Sequence, residues 1–161
     1  MITSQPGVDR GALVRRAFLE LVAERGFHAS MGAVAERAGV AAGTIYVHHA
    51  SKHDLVMTVY RDVKRDLSAA AVSAIDPEAA PADRFRAIWR NVLQHVTADP
   101  VRARFLVQVE ASPFADAARA AVVHGGGDPL MAAASAPDMA ALLVDLPPEH
   151  LYDLVFGPVV R

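Results

Sequence analysis

The sequence predicts an all-α fold: three short N-terminal helices, a long fourth helix, and a second helical unit beyond it. Three observations predict it. Apolar residues recur at i, i+3 and i+4 through most of the chain instead of alternating with polar ones. Glycine and proline fall between those stripes, where helices stop and start, as at Gly26, Gly39, Pro100 and Pro113. There is no Asn-Gly hairpin signal and no run of alternating β-branched residues.

Each element has its own reason. From Asp9 to Arg25, Leu13, Val14, Ala17, Phe18, Leu21 and Val22 form one apolar stripe. Gly26 stands where a left-handed C-cap is wanted, with Phe27 as its apolar contact. Ser30 caps a helix from Met31 to Ala38, which buries Val34, Ala35 and Ala38 and ends at Gly39. Val40 plugs a tight turn before a third helix from Ala42 to His48. Ser51, with Asp54 at the capping-box position, starts a fourth whose stripe is Leu55, Val56, Val59, Tyr60, Val63 and Leu67. It should reach about Ile75, where "DPEAAP" breaks it.

The pattern then resumes with Phe85, Ile88, Trp89, Val92 and Val96. Asp99 and Pro100 make a cap and first-turn proline for the next helix, which Pro113 closes. A helix near 114–123 stops at Gly125-Gly126-Gly127, and Asp128-Pro129 can restart one. A last helix from about Glu149 carries Leu151, Leu154, Val155, Val159 and Val160, an apolar stripe that calls for a partner.

Composition narrows the function. At 53% hydrophobic, 161 residues can bury a real core. The absence of Cys removes disulfides and thiolate metal sites and fits a reducing cytoplasm. The N-terminus shows no basic flank with an apolar run, and no apolar window approaches the roughly 18 residues a membrane span needs. The net charge of −2 conceals an asymmetry. Residues 1–67 hold nine Arg/Lys against seven Asp/Glu and four of the seven His, while residues 68–161 hold seven bases against eleven acids.

Catalytic and metal signatures are missing. No Gly-x-Ser-x-Gly, His-Glu-x-x-His or Walker sequence occurs, and no Gly-Lys-Ser/Thr follows the glycine run. His48, His49 and His53 are split by a helix break and have no carboxylate set, so neither a metal nor a cofactor is expected. An enzyme is not the reading these residues favour.

The stretch Val34–Leu55, "VAERAGVAAGTIYVHHASKHDL", carries the functional signal. Two helices of about two turns around a glycine-centred turn form a helix-turn-helix, stable only when a third helix supports them. The Leu13/Phe18/Leu21 stripe supplies that support, leaving the second short helix to protrude, with Ile45 as its inward anchor. Such a helix fits the major groove. Gly43 allows close approach of a phosphate or base edge. The Thr44 and Tyr46 hydroxyls can donate to phosphate, His48 can donate to phosphate or a base edge, and Lys52 adds full charge. Tyr46 has a second reading, packing beneath the turn.

These residues resemble the TetR family of transcriptional regulators. The matching positions are Val34-Ala35, Ala38-Gly39-Val40, Gly43-Thr44-Ile45-Tyr46 and Ser51-Lys52. The resemblance covers about residues 8–68 as a DNA-binding domain. It implies that 69–161 form a helical ligand-binding and dimerisation domain, shortened at its C-terminus relative to the family. It further implies phosphate contacts from Thr44, Tyr46 and Lys52, with Ala42, Gly43, Val47 and His48 approaching bases or backbone and Ser30 joining the DNA-facing set. The implied partners are a double-stranded DNA operator, a small, apolar effector and a second copy of the chain, the whole acting as a repressor.

Three residues depart from the family pattern. Ala41 replaces the usual capping Ser, His49 the usual inward aromatic, and Gly32 lies where some members carry a base-reading Arg. They keep open an alternative, an all-helical binding or interaction module whose head no longer reads DNA. Trp89, Gln94, Phe105, Gln108 and Met131 are the candidate effector pocket, against a reading of the apolar ones as plain core and the polar ones as solvated surface. Arg84, Arg86 and Arg90 read as an ordinary exposed face.

Overall fold

The computed structural model describes residues 9–124 and 126–141. Among these residues it is helical, without strands. The helices are α1 (Arg10–Arg25), α2 (Met31–Ala38), α3 (Ala42–His48), α4 (Lys52–Ala71), α5 (Pro81–Ala98), α6 (Pro100–Glu110), α7 (Ala115–His124), α8 (Pro129–Ala134) and α9 (Pro137–Ala140). The apolar helix expected from Glu149 and the glycine at 125 lie outside the described residues. No described helix is long and apolar enough to cross a membrane.

The starts follow the capping chemistry. Asp9 accepts from the Ala12 N–H at 3.0 Å, Ser30 from Ala33 at 3.1 Å, and Ser51 from Asp54 at 3.0 Å. Asp99 ends α5 and caps α6 through the Arg102 N–H at 3.2 Å, so the two helices meet at a sharp corner. Asp128 accepts from Leu130 and Met131 to start α8. Each satisfies amides that the first turn cannot pair internally.

Four expectations need correction. Gly26 has φ +66° but ψ −163°, so it is not a left-handed cap; it leads into a 3-10 turn at Gly26–His28. A β-carbon there would lie 3.0 Å from Gln108 Oε1, so the bare glycine also admits α6. Helix α4 stops at Ala71, short of Ile75, because the Asn91 amide of α5 donates to the carbonyls of Ala71 and Ser73. Leu13 is 39% exposed and does not share the supporting stripe with Phe18 and Leu21, which are buried. Arg84 is largely buried and pairs with Asp138, tying α5 to α9, whereas Arg86 and Arg90 are exposed.

A single core runs through the described residues. The Phe18 ring of α1 meets Phe105 of α6 edge-on at 6.3 Å, and Phe27 meets Phe114 at 5.1 Å. Helix α4 lies against α5, α7 and α8, with Leu55, Val56, Val59, Tyr60, Val63 and Leu67 buried. The expected boundary between residues 68 and 69 therefore falls inside a continuous helix and beside a shared core.

Candidate nucleic-acid interface

The turn between α2 and α3 is built by backbone bonds. Gly39, at φ +65° and ψ +33°, is in the left-handed region. Its N–H donates to the Glu36 carbonyl at 3.1 Å, and the Val40 N–H donates to Ala35 at 3.0 Å. This paired pattern closes the last turn of α2, and half-buried Val40 packs against the core just beyond. The chain then enters α3 through Ala41, which is extended and provides no side-chain cap.

Helix α3 is held by one side and free on the other. Ile45 is fully buried at 0% exposure, whereas Tyr46 is 57% and Val47 80% exposed. Ala42, Gly43 and His48 are also exposed, and Thr44 is half-buried. At about 100° per residue, Gly43 and Val47 point opposite Ile45, with Tyr46 and Thr44 on either side. Tyr46 thus stands out from the fold and does not pack beneath the turn. A methyl group placed on Gly43 would touch nothing within 4 Å.

The scaffold beneath is cross-braced. Arg37 of α2 makes a bidentate pair with Glu24 of α1, both bonds at 2.9 Å. That pair holds the Glu24 carboxyl below the usual range and raises the Arg37 guanidinium. Asp9 is lowered chiefly by the Ala12 N–H it accepts from. The Lys52 ammonium donates to the carbonyls of Phe27 at 2.6 Å and Ala29 at 2.9 Å, fastening the start of α4 to the segment before α2. Ser30 uses its oxygen as the α2 cap, which leaves its O–H able to donate outward.

His49 follows α3 and faces inward, 4% exposed, with neither ring nitrogen hydrogen-bonded. Its Nδ1 lies 3.6 Å from Asp54 Oδ2, so it finds a carboxylate nearby and not the carbonyl its position invites. Burial lowers its pKa against the opposing pull of Asp54. His53 leaves in another direction to lie against Phe114 at 5.8 Å. No group of three potential metal ligands converges among the described residues.

The candidate effector residues differ in their surroundings. Phe105 is core beside Phe18, Gln108 covers Gly26, and Gln94 is exposed on α5; Trp89 and Met131 are half-buried on α5 and α8. Sequence spacing could not separate these fates, since each depends on which neighbour crosses its helix. A groove of about 410 Å³ lies elsewhere, between α1, α4 and the start of α6. Its lining includes Arg15, Asp62, Asp66 and Arg102, joined as Arg15–Asp62 and Arg102–Asp66 pairs.

Residues 14–59, from α1 into α4, match the family described as bacterial regulatory proteins, tetR family. The chain thus carries the N-terminal domain of that family. Solved structures share its architecture as well as its head. A TetR-family transcription regulator from Shewanella superposes with a TM-score of 0.81 at 24% identity, over 94% of this chain and 81% of that one. One from Haemophilus influenzae gives 0.76 at 23% identity, over 94% and 83%. One from Marinobacter aquaeolei gives 0.72 at 20%, over 94% and 80%. At these identities the likeness is one of fold. Within the matched residues α2 and α3 form the helix-turn-helix, and α3 is the helix with a free outer face.

Proposed function

We propose that the chain is a homodimeric repressor that grips its operator through α3 and lets go when a small, apolar effector binds among its C-terminal helices. The observation that carries the DNA half is the contrast on α3 between buried Ile45 and exposed Tyr46 and Val47. A helix anchored on one side and bare on the other is the shape the major groove admits. In this reading Ser30, Thr44 and Tyr46 donate hydroxyl protons to phosphates, and Lys52 offers its one remaining N–H. Ala42, Gly43, Val47 and His48 meet bases or backbone.

Ligand binding and dimerisation are typical of the family, which supports the effector and the second copy. Two-fold dimers engage half-sites about 34–36 Å apart, or a multiple of that. An effector that favours a different head separation would weaken binding by its differential affinity for the two states. Cytoplasmic residence follows from the same role.

Fluorescence anisotropy tests the DNA half. Full-length protein is titrated with the promoter duplex of its own gene and with random duplex across a salt series. The reading expects a specific excess at moderate salt and a steep loss of affinity as salt rises. Equal affinity for both duplexes would instead favour a helical binding module with a silent head, which the uncapped α3 and polar His49 would suit.

A further inference from the structure

We infer that α3 reads thymine methyl groups through Val47, an inference that rests on the DNA-binding reading above and names the base chemistry it selects. Val47 is 80% exposed, more than Leu13, Tyr46, Leu93 or Val101, the other exposed large apolar side chains among the described residues. Nothing among the described residues accounts for it there. A β-branched residue loses rotamer freedom in a helix, and an exposed one recovers nothing by packing.

Its neighbours sharpen the point. Val47 and Gly43 form the outward ridge of α3, and Ala42, nearer the Ile45 side, is small and exposed. Nothing crowds Gly43, so the ridge can approach a surface closely on that side. His48 is turned toward α1, where a β-carbon on Gly11 would lie 3.3 Å from its Nδ1. From Ala42 to His48 there is no Arg, Lys, Asn or Gln to make paired hydrogen bonds to base edges, and no Asp or Glu to accept from cytosine. On α2, Arg37 is already held by Glu24 and Glu20. The middle of the reading face is hydrocarbon. Among major-groove features only the C5-methyl of thymine is its complement.

The experiment begins with full-length protein selecting duplexes from a randomised pool at moderate salt. Each thymine of the enriched site is then replaced by deoxyuridine, which removes the methyl and keeps every hydrogen-bonding group. Wild type should lose roughly three- to fivefold in affinity at one thymine per half-site, the size of one lost buried methyl contact. Val47→Ala should bind both versions alike. Val47→Thr, isosteric but half polar, should fall between, and circular dichroism should show both variants folded. An enriched site at which wild type ignores every uridine substitution would overturn the inference and leave DNA binding standing. A Val47→Ala protein as sensitive as wild type would assign the methyl to another side chain and overturn it too. A pool with no enrichment would remove the DNA reading itself.

Discussion

Lys52 donates to the Phe27 carbonyl at 2.6 Å, and this bond, with its companion to Ala29, makes a lysine expected on DNA a brace within the head. Hydrogen bonds from a charged donor are worth more than neutral ones, though half-exposure reduces the gain. Lys52→Ala should therefore lower stability by about 1–2 kcal/mol in thermal or urea unfolding. It should also weaken specific and random duplexes by the same factor, because phosphate contacts carry no sequence information. An altered sequence preference would reassign the residue to base reading.

His49 makes the head sensitive to acid. Its pKa lies below the ordinary 6.5 because burial penalises the charged ring; Arg15 and His48 add to that, and Asp54 opposes it. The unfolded chain takes up a proton near 6.5 that the fold resists, so stability is full above that value and falls as pH drops through it toward the folded pKa. Asp9 and Glu24 also titrate with folding, but below their ordinary 3.8 and 4.5, outside that window. His49→Phe should flatten unfolding free energy between about pH 7 and 5 and add about 1 kcal/mol at neutral pH by removing two unpaired buried nitrogens. A pH slope unchanged in the variant would locate the sensitivity elsewhere.

Gly43 separates folding from function. A methyl there meets nothing in the chain, and alanine is the better helix former. Gly43→Ala should raise stability by about 0.5–1 kcal/mol in urea denaturation. Affinity for the operator should nevertheless drop several-fold in anisotropy if the backbone lies against DNA. Gains in both would mean that this part of α3 keeps its distance from the duplex.

Ala41 is extended, at φ −65° and ψ 145°, the backbone of a cap without the side chain. Ala41→Ser should supply the missing acceptor and stabilise the protein by about 0.5–1 kcal/mol. A melting temperature raised by about 1–4 °C would register it.

The local parts of this fold were legible because their causes are local. Ser30 and Gly39 mark the two ends of α2 within one helix length, and Asp99-Pro100 marks the corner between α5 and α6. The outward face of α3 was equally readable from Ile45 and the polar residues around it. What escaped depends on distant chain. Nothing near Lys52 announces carbonyls more than twenty residues upstream, and nothing near Ile75 announces the Asn91 amide that ends α4 early. Nothing near Gln108 announces that its side chain lies over Gly26, a bare glycine just after α1. Leu13 lies on a flank that a regular stripe includes and three-dimensional packing does not.

The ring contact between Phe18 and Phe105 has a mechanical consequence. A fragment cut at the close of α4 would leave that aromatic seam open to water, so the reading head is no detachable reagent. It borrows its rigidity from chain synthesised after it.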